Sequence, residues 1–159
     1  MIIDVYSGTR YRGDIMEFFA KKFFELSVDE LYEILKSRTE IFLLEQNIIC
    51  QDMDDKDRES LHCFFRNGAK VVGYLRAFSS DKDAVTVGRV LTLEHKKGLG
   101  RELMTKSIDA IRSNFDCKKI YVHAQKQAVG YYEKMGFSVI SDEYMEEGIP
   151  HLTMEMVIV

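Results

Sequence analysis

Apolar residues along this chain alternate between two spacings, a period of two and a period of three to four. Each change of spacing marks a predicted element boundary. Residues 17–25, Glu17-Phe18-Phe19-Ala20-Lys21-Lys22-Phe23-Phe24-Glu25, read as a strand from their aromatic content. Ser27 with Glu30 three positions on is a capping-box start. The helix it opens is predicted to reach Gln46, with Val28, Leu31, Leu35 and Phe42 along one stripe. Two strand-like runs, 61–66 and 70–78, flank Asn67-Gly68 and predict a hairpin. A polar turn over 79–83 leads into a further run at 84–93, which completes an antiparallel meander.

The second half switches periods more often. A helix is predicted over 98–113, with Leu103, Ser107 and Ile111 inward, and a strand over 118–124. A short helix over 125–135 carries Ala128, Tyr132 and Met135 on one face and ends at Gly136, a C-cap glycine. A strand start follows at 137–140. In the last run, 151–159, Leu152, Met154, Met156 and Ile158 alternate with Thr153, Glu155 and Val157 as a half-buried strand. The order β-α-(α)-β-β-β-α-β-α-β-β predicts an α/β (α+β) class. Its mixed sheet has an antiparallel first half, then a parallel pair joined by the central helix. The 159 residues suit one domain, 16–159. Residues 1–15 show no clear period and read as a leader or an N-terminal extension.

Composition narrows the class. A net charge of −4 argues against a general nucleic-acid binder. No apolar run approaches the ~20 residues of a membrane helix. The N-terminus does not read as a secretory signal, so the expectation is a cytoplasmic protein with neither nucleic-acid nor membrane partners. Cys50, Cys63 and Cys117 fit no disulfide or metal spacing and read as free thiols in a reducing compartment, without a metal.

Candidate chemistry sits at three places. Arg38 and Glu45 continue the first helix's apolar stripe; they either pair with buried partners or face a wet cleft. The acidic stretch 50–60, with Gln51, Asp52, Asp54, Asp55, Asp57 and Glu59, lacks the glycine and closing glutamate of a calcium loop. It reads as a solvated loop or short helix. Finally, the run from Gly88 to Leu93 is followed by Gly98-Leu99-Gly100 and an amphipathic helix. Free backbone N–H groups at that helix start make an anion site, with Lys96, Lys97 and Arg101 adding charge. The turn is too short for a dinucleotide fingerprint and is not a Walker loop, so alone it also reads as an ordinary helix start.

Paired with a second motif, the turn becomes specific. His95-x-x-Gly98-x-Gly100 and Gln125-x-x-Ala128-x-x-x-Tyr132-x-x-x-Gly136-Phe137 resemble the two signature segments of the GNAT acyl-CoA N-acyltransferases. Further segments resemble the ElaA-like subgroup: Leu31-Tyr32 to Arg38, Phe42 to Gln46, Gln51-Asp52-x-Asp54, Gly88-Arg89-Val90, Ala124-Gln125 and Glu147-Gly148-Ile149-Pro150-His151. The likeness covers about 16–156. Two residues depart: His95 stands where the family has Arg or Gln, and Gln125 where Asn is commoner.

The resemblance implies a GNAT fold in which strands 85–93 and 118–124 splay apart around a coenzyme A cleft. Acetyl-CoA would be the co-substrate, its pantetheine along Leu91, Thr92 and Leu93 and its pyrophosphate on Lys97, Gly98, Leu99, Gly100 and Arg101. Gln125 and Tyr131 would also contact it. Tyr132 would be the general acid, and the base His151 or, through water, Glu45. Arg38, Glu45 and Glu147 would bind the acceptor, with Asp52, Asp54, Glu143 and Glu146 making the entrance attractive to a cation. His62 and His123 read as strand histidines with satisfied nitrogens. The implied reaction is acetyl transfer to a primary amine, a small molecule or a peptide, by direct attack in a ternary complex. The alternatives are an acyl-CoA sensor without turnover and a phosphate-binding module for another nucleotide. A homodimer is left open.

Overall fold

The computed structural model describes residues 9–11, 14–93 and 98–158. The elements in chain order begin with strands β1 (Thr9–Tyr11) and β2 (Asp14–Lys22), helix α1 (Val28–Arg38), helix α2 (Lys56–Glu59) and strands β3 (Leu61–Asn67), β4 (Lys70–Asp81) and β5 (Ala84–Thr92). Helix α3 (Leu99–Asn114), strand β6 (Lys119–Gln125), helix α4 (Val129–Lys134) and strands β7 (Ser138–Val139), β8 (Tyr144–Glu146) and β9 (Ile149–Val157) follow. They form one sheet in the order β1-β2-β3-β4-β5-β6-β9-β7, with β8 on β9. Every pairing is antiparallel except β5 with β6. The mixed sheet expected from the element order is present.

Two apolar clusters cover the two faces. One joins α3 and α4 to β2–β6 through residues such as Phe65, Leu75, Leu103 and Ile111; the other joins Ile34 and Ile41 to Phe64, Tyr74 and Leu91. Adjacent residues Phe64 and Phe65 therefore serve opposite faces. That is why the middle strands read as unbroken apolar runs rather than as alternation.

Several boundaries differ from expectation, each for a physical reason. β2 stops at Lys22 because Phe23–Glu25 turn into a 3-10 helix, with the Glu25 carboxylate accepting from the Lys22 N–H at 2.8 Å. The capping box at Ser27 and Glu30 is present. The buried stripe of α1, however, is Glu30, Ile34, Ser37 and Arg38, continued by Ile41, while Val28 is 84% exposed. Glu30 and Arg38 go inside because Lys21 and Asp57 meet their charges at 2.8 and 2.7 Å. Beyond Arg38 the helix continues as a π-helical stretch, Thr39–Glu45, whose wider turn breaks a 3.6-residue extrapolation. The β3–β4 turn falls on Gly68-Ala69 rather than Asn67-Gly68: Asn67 pairs with Lys70, and Gly68 takes φ +60°.

Two strands were not expected. β1 pairs with the start of β2, so part of the stretch without period at 1–15 belongs to the sheet. β8 and β9 form a hairpin over Glu147-Gly148, at φ +47° and +72°. This is a primed turn without the Asn-Gly or Asp-Gly pair that announces one.

The fold opens a cleft at one place. β5 pairs with β6 only from Ala84 to Val87, and the last matched pair is Val87 with Val122. The β4–β5 register then runs from Arg76↔Gly88 to Tyr74↔Leu91, which puts one extra residue into β5. Arg89 sits in that bulge at φ +56°. Past it, β5 stays on β4, where Leu93 N–H donates to the Val72 carbonyl at 2.8 Å. β6 instead follows β9 as far as Gln125↔His151.

Candidate active site

The splay forms a cleft of about 530 Å³. Gly88 and Val90 of β5, His123 and Gln125 of β6, Tyr132 of α4 and His151 of β9 all line it. The expected splay is present, but it opens at Gly88, three residues before the Leu91–Leu93 stretch expected to be unpaired, because the β5–β6 pairing ends at Val87. Leu91 is buried and Thr92 and Leu93 half-buried along the β5 side.

At its N-terminus α3 has no side-chain cap. Gly98 takes φ +99°, open to glycine at no steric cost. Glu102 N–H donates back to the Gly98 carbonyl at 2.9 Å, so the N–H groups of Leu99, Gly100 and Arg101 make up the first turn without intrahelical acceptors. The Leu99 side chain is fully buried; only its backbone can serve an anion. A Cβ on Gly100 would meet the Tyr131 ring at 3.6 Å and Thr92 Cγ2 at 3.9 Å. A side chain there would pack on Tyr131 and Thr92. Lys97, with His95 and Lys96, lies outside the described residues.

Tyr131 and Tyr132 divide their work. The Tyr131 hydroxyl donates to the Gly100 carbonyl at 2.7 Å and locks α4 to the glycine turn; burial pushes that hydroxyl up to about 12. Tyr132 is 7% exposed and held edge-on between the Tyr131 and Phe137 rings. Burial, with Tyr131 adding to it, raises its hydroxyl well above the ordinary phenol range. It stays protonated at neutral pH and presents a donor to the cleft.

His151 begins the opposite wall and is 7% exposed. Its Nδ1 lies 2.8 Å from the Ile149 carbonyl, which only accepts, so Nδ1 carries the proton and Nε2 is the basic edge. That Nε2 lies 3.6 Å from the Glu146 carboxylate. Glu147, at the hairpin tip, also lines the cleft. Glu45 is exposed at the end of the π-helical stretch, and its neighbour Gln46 forms the wall instead. Glu143 pairs with Lys126 at 2.7 Å.

The arginines and aspartates rearrange the expected acceptor end. Arg38 is buried behind the wall, its guanidinium held by Asp52 at 2.9 Å and Asp57 at 2.7 Å, so it supports the cleft rather than lining it. Asp57 also binds Arg76 at 2.8 Å, and Asp54 takes the other face of that guanidinium. Arg89, from the β5 bulge, reaches Asp52 at 2.8 Å. Burial alone would raise Asp57, but Arg38 and Arg76 outweigh it and hold the carboxyl below the usual range. Asp52 and Asp54 do line the cleft, yet their charge is answered by arginine. The acidic stretch is mostly exposed and carries the short helix α2, as read from the sequence, but Asp52, Asp54 and Asp57 within it are ion-paired to arginines in a ring. The unpaired run of Asp codes hid this because its partners lie on distant strands.

His62 has both nitrogens satisfied, at 2.8 Å from Tyr74 and from the Asp57 carbonyl, as expected of a strand histidine; burial lowers its pKa. His123 differs: its strand face opens to the cleft, and Tyr144 holds only its Nδ1, at 2.7 Å. The signal for it was its place two residues before Gln125 on one strand face. Gln125 donates to Gln46 at 3.0 Å, bridging the two walls.

Comparison with known proteins follows the same outline. The acetyltransferase (GNAT) domain family matches residues 20–158. A protein of Schizosaccharomyces pombe, C11D3.02c, is 36% identical over 145 residues, 89% of this chain and 97% of its own. ElaA of Escherichia coli is 35% identical over 136 residues, 82% of this chain and 89% of its own. The crystal structure of ElaA superposes with a TM-score of 0.82 at 31% identity, covering 89% of this chain and 99% of that one. An acyl-CoA N-acyltransferase from Pseudomonas aeruginosa also gives a TM-score of 0.82, at 29% identity, covering 88% and 99%. A GNAT acetyltransferase from Elizabethkingia anophelis with acetyl-CoA bound is 14% identical, TM-score 0.60, covering 90% and 98%, a likeness of fold alone.

Proposed function

The chain belongs to the GNAT acetyltransferase family, and on that premise we propose that it transfers the acetyl group of acetyl-CoA to a primary amine by direct attack in a ternary complex. Acyl transfer is the family's chemistry. The acetyl donor, the amine acceptor and the order of events are the proposal. One observation carries it: the splayed edge of β5 at Gly88 to Val90, Tyr132 and His151 line a single cleft, and Tyr131, the neighbour of Tyr132, bonds the uncapped α3 N-terminus at Gly100.

Acetyl-CoA supplies an activated thioester. Leu99, Gly100 and Arg101 N–H groups would hold its pyrophosphate, and the positive end of the α3 dipole would add to their grip. The β5 backbone from Gly88 to Leu93, unpaired on its β6 side, would bond the pantetheine amides. Tyr132, kept protonated by burial, would donate to the departing sulfur. His151, with Nδ1–H fixed on Ile149 and Nε2 bare, would accept a proton from the amine, and Glu146 would stabilise the resulting cation. Glu147 at the mouth would attract an ammonium; Glu45 is the other base candidate, acting through water. The acceptor is a small-molecule or peptide amine.

The experiment is a thiol-release assay with acetyl-CoA and a panel of amines, alongside titration calorimetry of acetyl-CoA. The expected result is binding plus thiol release matched by N-acetyl product. Binding without release for every amine would make the protein an acyl-CoA sensor instead.

A further inference from the structure

The cleft holds a second imidazole that the mechanism above leaves unused. His123 directly follows Val122, the last β6 residue paired to β5, so it is the first β6 side chain inside the splay. It is exposed, and it lines the same cleft as Tyr132 and His151. Its Nδ1 lies 2.7 Å from the Tyr144 hydroxyl, which in turn lies 3.1 Å from Thr153 Oγ1. The Tyr144 ring stacks on His151, centroids 6.1 Å apart and planes at 24°. One tyrosine thus fixes both imidazoles. When the Tyr144 hydroxyl donates to Thr153 and accepts from His123 Nδ1–H, the Nε2 of His123 is the basic edge left for the cleft.

Other charges in the cleft are already committed. Glu146 of β8 faces His151 at 3.6 Å. On the opposite wall Arg76 and Arg89 are ion-paired with Asp54 and Asp52. Lys56 of α2 lies near Glu59 and over the Phe78 ring. Exposed Glu147 lies at the hairpin tip, and Tyr132 of α4 is protonated.

Acetylating an ammonium requires two deprotonations of one nitrogen. The first frees the lone pair that forms the N–C bond. The second removes a proton from the positively charged nitrogen as the C–S bond breaks. The thiolate takes up one proton through Tyr132, and the other leaves to solvent. We propose that His123, oriented by Tyr144, takes the first proton from the arriving ammonium and passes it to solvent, and that His151 takes the second, which replaces the proton Tyr132 has given to the thiolate. Placement decides the order: His123 is exposed and can pass its proton to water, whereas His151 is 7% exposed beside Glu146 and suits a proton held inside the closed site. The inference depends on the acetyl-transfer reading. Tyr144 is a positioning residue for both imidazoles.

The test uses the full chain, acetyl-CoA and whichever of spermidine, tyramine or a short lysine peptide the wild type turns over fastest. kcat/KM for the amine is measured from neutral to alkaline pH for wild type, His123→Gln and Tyr144→Phe, with Tm and KM for acetyl-CoA alongside. His123→Gln is expected to lose about 10²-fold at neutral pH. The deficit should shrink as pH approaches the amine's own pKa, because solvent then supplies the free base. Tyr144→Phe should show a smaller deficit with the same pH dependence, and KM for acetyl-CoA should hold. A His123→Gln rate equal to wild type at neutral pH overturns the proposal. So does a loss by the same factor at every pH, which marks a packing role. If the wild type binds acetyl-CoA yet acetylates none of the three amines, the transfer reading itself fails, and the proposal with it.

Discussion

Gly98 and Gly100 look alike in sequence but carry different constraints. Gly98 sits at φ +99°, where a side chain costs on the order of 1 kcal/mol or more of backbone strain. Gly100 has ordinary backbone, and an added Cβ would make only normal contacts at 3.6–3.9 Å. Gly100→Ala should therefore keep wild-type Tm while weakening acetyl-CoA binding by calorimetry, since a methyl added between the Tyr131 ring and Thr92 crowds the turn whose N–H groups would hold the pyrophosphate. Gly98→Ala should lower both. A Gly100→Ala protein that binds as wild type would move the pyrophosphate elsewhere. At this scale the positions of Tyr132 and His151 on one cleft were legible from the motif spacing and the subgroup resemblance. The role of His123 was not, since one sequence does not show which strand face opens to a cleft.

Among elements, the 46–57 segment is held by charge rather than by apolar packing. Asp57 joins two arginines whose side chains are 0% and 4% exposed. Removing its charge takes one carboxylate from each guanidinium while Asp52 and Asp54 keep the other, a cost of about 3 kcal/mol. Asp57→Asn should accordingly lower Tm by on the order of 10 °C. It should also raise the amine KM, because Asp52 and Asp54 share the same ring and form part of the cleft wall. A Tm within a degree or two of wild type would show that the ring contributes no more than a surface pair. The sequence hinted at this element through Arg38 on an apolar stripe. It did not show the partners, which come from β4 and the β5 bulge. The π-helical stretch escaped for a related reason: its widened turn is imposed by tertiary packing and has no local residue signature.

Across the whole molecule, the element order alone carried the mixed sheet and the parallel pair, because a helix between two strands leaves few other topologies. The cleft needed one more fact, the bulge at Arg89, where a non-glycine residue takes φ +56° directly after Gly88. Burial also sets how the whole fold responds to acid. Burial lowers the pKa of His62 from 6.5, and lysine and arginine partners hold Glu30, Asp54 and Asp57 below their usual ranges. All four bind protons more weakly folded than unfolded, so the unfolded chain gains protons as pH falls and stability drops. The loss should begin below about 6.5 from His62 and steepen below about 4.5 as the carboxylates protonate. Urea midpoints measured down a pH series check this; a flat midpoint from neutral to pH of about 5 would contradict the His62 contribution.

The most direct test of the cleft as an acyl-transfer site is Tyr132→Phe, assayed for thiol release and for acetyl-CoA affinity on the same preparation. The phenyl ring keeps the packing on Tyr131 and Phe137 and removes only the hydroxyl. The account predicts a kcat lower by about 10²-fold with acetyl-CoA affinity unchanged. An unchanged kcat would contradict it.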